Sequence, residues 1–171
     1  RETAVRPPPR PKSRTRHFVT DGPHIDPDAG DTLPAGTPLL QGQYLVEGFL
    51  NAGGFGITYL ARDSLDRRVV IKECFPSTMC CRTDDIVRAR SRSHQSEFDA
   101  VVRLFGQEAR RLAKLEHPNI VGVRDVFEEN GTAYMALDYI DGRDLHDIIE
   151  QETWRLDPDT IRDIATCLLD A

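Results

Sequence analysis

Six residues, Asn51-Ala52-Gly53-Gly54-Phe55-Gly56, separate two apolar runs, Tyr44 to Leu50 and Ile57 to Ala61, and three of the six are glycine. A connection this short requires the two runs to pair as an antiparallel hairpin. With so few Cβ atoms at its tip, backbone N–H groups can come close to an anion. Asp63-Ser64-Leu65-Asp66 then reads as a turn into a third strand, Arg68 to Glu73, whose Val69-Val70-Ile71-Lys72 sets a positive charge beside the tip. Neither half is specific alone, but in this order they point to phosphate and to ATP.

From Phe98 the period changes. Phe98, Val101, Val102, Phe105, Ala109 and Leu112 recur at steps of three and four, which predicts an amphipathic helix to about Leu115, ended by His117-Pro118-Asn119. Gly106 weakens that helix by roughly 1 kcal/mol relative to alanine, so tertiary packing must hold it. Ile120 to Phe127 and Thr132 to Asp138 follow as strands, with Asn130-Gly131 supplying the positive φ of a tight hairpin. Leu145, Ile148 and Ile149 suggest a short helix, and Asp157-Pro158, an N-cap followed by an N1 proline, opens another.

Residues 1–40 hold most of the 11 prolines, and residues 1–16 carry a charge of +5 against −11 for the remainder, giving the net −6. Such a stretch cannot bury enough surface to fold alone, so a disordered, solvated tail is expected up to about residue 40. No aromatic residue interleaves its charges before Phe18, which argues against nucleic acid. No run approaches the roughly 20 apolar residues of a membrane-spanning helix, and the Arg/Pro-rich first residues are without the apolar stretch of a secretory signal. A cytoplasmic location is expected. Cys74, Cys80, Cys81 and Cys167 include no C-x-x-C pair and no histidines at ligand spacing, so reduced thiols are expected and no metal site. The chain starts at Arg1 without methionine and stops at Ala171 inside an apolar-periodic segment, and is read as a piece of a longer protein.

Three strands with a glycine-rich tip, a lysine on the third, a helix, two more strands and a crossover resemble the N-terminal lobe of a bacterial-type serine/threonine protein kinase, over about Tyr44 to Ala171. The fold class expected is therefore α+β: a five-stranded antiparallel sheet plus helix C (residues 41–141), followed by the first helices of a C-lobe (142–171). In the family's G-x-G-x-x-G-x-V loop, Asn51, Gly53, Gly56 and Thr58 take the places of the three glycines and the valine, with Ala52, Gly54 and Phe55 between them. Asn51 is the substitution that best tolerates left-handed backbone. Lys72 matches the lysine that neutralises ATP phosphate oxygens, Val70 takes the place of the usual alanine in the adenine roof, and Glu108 matches the helix C partner of that lysine, in preference to Glu97. Leu112 and Val123 match the hydrophobic stack of active kinases. Leu137 falls at the gatekeeper, Asp138 and Ile140 at the hinge positions that pair with adenine, and Asp144 where an acidic residue accepts the ribose hydroxyl or caps a helix.

The resemblance implies ATP and Mg2+ as cofactors and a protein Ser/Thr hydroxyl as acceptor. The H-R-D-x-x-x-x-N and D-F-G motifs that supply the catalytic carboxylate and the magnesium ligands do not occur in these 171 residues, so this segment alone is expected to be inactive. A pseudokinase module that binds nucleotide or a partner without turnover is the alternative. The spacing of Lys72 and Glu108 is wider than is common in the family. The excess, Glu73 to Ser96, contains Arg82, Arg88, Arg90, Arg92 and His94 and is expected to be a mobile, solvated insertion, with a phosphorylated loop or a partner as the other possibility.

Overall fold

The computed structural model describes residues 30–143, 145, 148–149 and 157–171. The strands are β1 (Pro38–Leu39), β2 (Tyr44–Gly53), β3 (Gly56–Asp63), β4 (Arg68–Cys74), β5 (Cys80–Thr83), β6 (Ile86–Ala89), β7 (Val123–Glu129) and β8 (Thr132–Asp138). Two helices, α1 (Arg92–Leu112) and α2 (Pro158–Leu169), accompany them. An antiparallel sheet in the order β1-β2-β3-β4-β8-β7 forms the body, and β5 and β6 make a separate hairpin. The sheet has six strands rather than five, because Pro38-Leu39 adds a short edge strand to β2. The predicted turns hold. Asp63 Oδ1 accepts from the N–H groups of Leu65 and Arg67, and Asn130 and Gly131 both adopt positive φ. Asp157 caps α2 by accepting from Asp159 and Thr160, and the hydrogen bond from the Thr160 hydroxyl holds its carboxyl below the usual range.

Side chains alternate across a strand, so register sorts the residues into two faces. Tyr59 pairs with Ile71 and Ile71 with Ala136; Ile57 pairs with Glu73 and Glu73 with Tyr134. These residues are buried on one face. Between them, Thr58, Val70, Lys72, Met135 and Leu137 fall on the other.

What covers the buried face differs from the sequence expectation in two places. Residues 30–40 belong to the fold rather than to a disordered tail: Leu33 and Leu39 join the core, the Leu33 N–H donates to the Tyr59 hydroxyl at 3.2 Å, and the Leu40 N–H donates to Glu129 at 2.7 Å. Residues 1–29, the rest of the predicted tail, lie outside the described residues. The segment after Glu73 is likewise no mobile insertion. It folds as the β5–β6 hairpin, buries Cys80 and Val87 in the core, and leads directly into α1, which begins at Arg92 rather than Phe98. Its alternating Cys80, Arg82 and Val87 positions carried that information, but the arginines masked it.

The centre of the covered face is polar. Glu73, with no solvent exposure, accepts hydrogen bonds from Tyr59 (2.8 Å), Tyr134 (2.6 Å) and the Arg82 guanidinium (2.5 Å). Burial, and then the Glu73 charge, push both tyrosine hydroxyls above their ordinary pKa, so they stay protonated donors. Burial works against the Arg82 charge, but attraction to Glu73 and the hydrogen bond between them outweigh it, and its pKa rises. Cys74 and Cys80 are free thiols beside this cluster, each pushed up to about 12 by burial, which keeps them protonated and unreactive.

The hairpin seats on the β7–β8 turn. The Val87 N–H donates to the Asn130 carbonyl at 2.8 Å, and a Cβ on Gly131 would stand 2.5 Å from the Val87 carbonyl oxygen. Gly131 is also at φ +73. Gly131→Val is therefore expected to destabilise the protein by roughly 2–3 kcal/mol, combining left-handed strain with overpacking. Thermal unfolding measures it, and an unchanged midpoint would contradict the seating.

Candidate functional site

On the other face, a cavity of about 570 Å³ opens between the β2–β3 tip, the sheet and the segment after β8. Asn51, Gly53, Gly54, Phe55 and Gly56 border it from the tip, Thr58, Val70, Lys72 and Leu137 from the sheet, and Asp138 and Ile140 from beyond it. All were expected from the sequence. Ala52 was expected as well, but it is buried in the core and does not line the cavity, because the residue after Asn51 faces the opposite side of β2. Asp144 lies outside the described residues.

The sequence reading missed Leu50, Val121 and Tyr139, which complete the wall. Leu50 was legible as the last apolar residue before the glycines. Tyr139 sits within the hinge stretch and lies under the Arg68 guanidinium, 5.6 Å from its ring centre. Val121 had no local signal, since it comes from a loop brought in by the Gly122 carbonyl accepting from the Asp138 N–H at 2.9 Å. Leu50, Val70, Val121 and Leu137 give the cavity apolar walls suited to a flat ring, and Lys72 makes one end cationic.

The glycines serve two different ends. A Cβ on Gly56 would collide with the Glu73 carbonyl oxygen, and the Phe75 N–H donates to the Phe55 carbonyl at 3.1 Å, so Gly56 lets the hairpin close onto the end of β4. A Cβ on Gly53 or Gly54 would meet nothing within 4 Å. Their bareness answers no internal need and leaves open space for a ligand. None of these glycines, nor Asn51, takes a left-handed φ. Asn51 was expected to preserve such a turn. It is instead an extended residue paired with Thr58, beyond two register irregularities that bend β2.

Lys72 is on a central strand, between Thr58 and Met135, and its side chain is exposed on the cavity face. The buried charge next to the Val69-Val70-Ile71 run is Glu73. A second cavity of about 230 Å³ lies between Lys72 and α1, where Phe105, Glu108 and Leu112 face Val123 and Met135. Lys72 and Glu108 thus border one space, yet no ion pair joins them, and no hydrogen bond or ion pair holds the Lys72 ammonium among the described residues. Glu97 is exposed near the start of α1 and borders neither cavity. Beyond Leu112, the Asn119 side chain donates to the Cys167 carbonyl at 3.0 Å and His117 faces Asp170 at 3.6 Å, tying the loop after α1 to α2.

The protein kinase domain profile matches residues 44–171. The chain belongs to the protein kinase domain family. This kinase segment is 31% identical over 131 residues to the serine/threonine-protein kinase pkn3 of Myxococcus xanthus, covering 75% of this chain and 21% of that protein. It is 32% identical over 111 residues to the serine/threonine-protein kinase PrkC of Bacillus subtilis, covering 64% and 14%. Among solved structures, "PpkA-294 apo form" superposes with a TM-score of 0.72 at 35% identity, over 78% of this chain and 47% of that one. The PknI kinase domain of Mycobacterium tuberculosis, as a double mutant, gives 0.59 at 25% identity, over 80% and 49%. The kinase segment therefore spans about a fifth or less of these curated relatives and about half of these solved kinase chains. The matched region begins at Tyr44, so the covering strap at residues 30–40 precedes it. No described helix is long and apolar enough to cross a membrane.

Proposed function

We propose that this segment is the ATP-binding portion of a serine/threonine protein kinase, which transfers the γ-phosphoryl group to protein hydroxyls. The observation that carries the reading is the junction of an apolar slot, bare glycines and Lys72 in one cavity. Adenine lies between Leu50 and Val70 above and Leu137 beside it, and the backbone at Asp138 and Ile140 meets its edge. The phosphates lie under Gly53 and Gly54, where peptide N–H groups can approach without a Cβ in the way. Lys72 neutralises phosphate charge. Glu108 orients it once α1 has moved in across the smaller cavity.

Magnesium would supply positive charge that offsets the charge developing on the phosphates. Among the described residues no group of three or more His, Cys, Asp or Glu is placed to hold a metal. Its ligands and the catalytic carboxylate are assigned to other parts of the parent protein. The parent protein, incubated with ATP labelled at the γ-phosphate, Mg2+ and a mixed protein acceptor, is expected to yield phosphoserine and phosphothreonine on acid hydrolysis. One relative, MasK of Myxococcus xanthus, is named a tyrosine-protein kinase, so phosphotyrosine as the sole product would overturn the acceptor class. Nucleotide binding without transfer would favour the pseudokinase reading.

A further inference from the structure

We infer that Arg82 is a positioning residue: gripped by Glu73 on β4 and Asp31 in the N-terminal strap, it anchors the β5–β6 hairpin, and through it the start of α1, behind the strand carrying Lys72. The inference rests on the function proposed above. Each nitrogen of the Arg82 guanidinium has an acceptor: one on β4, one in the strap and one in the turn of its own hairpin. Its Nη2 reaches Glu73 at 2.5 Å, its Nε the Asp31 carbonyl at 2.8 Å and its Nη1 the Asp85 carbonyl at 2.9 Å. The Arg82 N–H adds a bond to the Asp31 carboxylate at 3.2 Å, and the guanidinium lies over Phe75, 5.4 Å from the ring centre. The side chain is 1% exposed. A planar fork is the group suited to hold three directions at once.

The hairpin passes this constraint to α1 with little slack. Arg90 closes its base, donating from its N–H to Met79 at 2.8 Å and from its side chain to Ser77 at 2.9 Å, and α1 starts two residues later. Phe98, in the second turn, is in the same core as Cys80 and Val87. Glu108 is ten residues further on, about 15 Å along the axis at ~1.5 Å per residue. A tilt of about 10° at the anchored end therefore moves Glu108 by on the order of 3 Å. That is the scale of the gap between a formed and a broken Lys72–Glu108 pair, and angstrom misplacements near a reacting group cost large factors in rate. Glu73 and Lys72 are adjacent and face opposite ways, so the same strand fixes both ends of the lever.

The test compares the full-length protein with Arg82→Met, Arg82→Lys and the double variant Glu73→Gln/Arg82→Met. Removing both buried charges together avoids the unpaired ion that either single change leaves, and glutamine keeps an acceptor for the Tyr59 and Tyr134 hydroxyls, so the double variant separates positioning from stability. With its unfolding midpoint near the parent's, its kcat is expected to fall at least about tenfold while KM for ATP stays within about threefold, because the adenine walls are untouched. Hydrogen exchange over residues 98–112 is expected to rise at least about tenfold, with β3 and β8 unchanged. Arg82→Lys, which keeps the charge but not the fork, should recover part of kcat. A folded double variant with parental kcat and parental exchange in α1 overturns the inference. If the parent itself transfers no phosphate, the kinase reading fails, and the exchange comparison still decides whether Arg82 positions α1.

Discussion

Lys72→Met in the full-length protein is expected to lower phosphoryl transfer by roughly 10²–10³-fold, the usual consequence of removing one group aimed at charge that develops in a transition state. The fold should be indifferent to the change. The Lys72 side chain is exposed, bonds to no described residue, and borders the two cavities rather than the core. Surface substitutions of this kind stay within about 0.5 kcal/mol. Methionine keeps the length and apolar stem, so the strand and the adenine walls remain as they are. Measured transfer of labelled γ-phosphate, alongside a thermal melt, separates the two effects. Near-parental activity would reject Lys72 as the phosphate lysine.

Glu73→Ala is expected to have the opposite signature, a loss of about 3–5 kcal/mol in stability, because it leaves a buried guanidinium without its counter-charge. Three donors lose their acceptor at once: Arg82, Tyr59 and Tyr134. That loss is a large share of a domain's usual stability of roughly 5–15 kcal/mol. The Arg62–Glu47 pair makes the contrast. Both of its side chains are about a third exposed, and its removal should leave the unfolding midpoint nearly unchanged. Urea unfolding followed by far-ultraviolet circular dichroism measures both variants, and equal midpoints would mean that Glu73 is not the hub of a buried network. Tyr59 still accepts from Leu33 in the Glu73 variant, so the strap at residues 30–40 weakens rather than detaching outright.

Glu73 and Lys72 are neighbours in the chain, and this adjacency explains where sequence reading succeeded and where it failed. Apolar periodicity and turn chemistry are local, so β2, β3, β4, β7, β8 and most of α1 could be read directly. So could the cavity residues that follow a recurring motif: Asn51, Gly53 to Gly56 and Thr58, then Leu137, Asp138 and Ile140. The segment after Glu73 was misjudged because its composition is that of a solvated loop. Burial of an arginine is intelligible only when its partner is known, and Glu73, Asp31 and Asp85 are brought to Arg82 by the fold. Residues 30–40 failed for the same reason: Leu33 and Leu39 are too sparse to signal a core, yet they fit one made by other segments.

What the sequence by itself determined is the kinase framework: the glycine-rich hairpin, the lysine on the third strand, the helix with Glu108 on its inward side and the hinge. These follow from spacing and side-chain type, which act between near neighbours. Only the tertiary structure decided which charge beside Val69-Val70-Ile71 is buried, why Gly56 must lack a side chain while Gly53 and Gly54 need not, and that Lys72 and Glu108 stand apart across a cavity. Those outcomes depend on desolvation and close approach between segments distant in the chain, and neither quantity exists until the sheet, strap and hairpin have packed together.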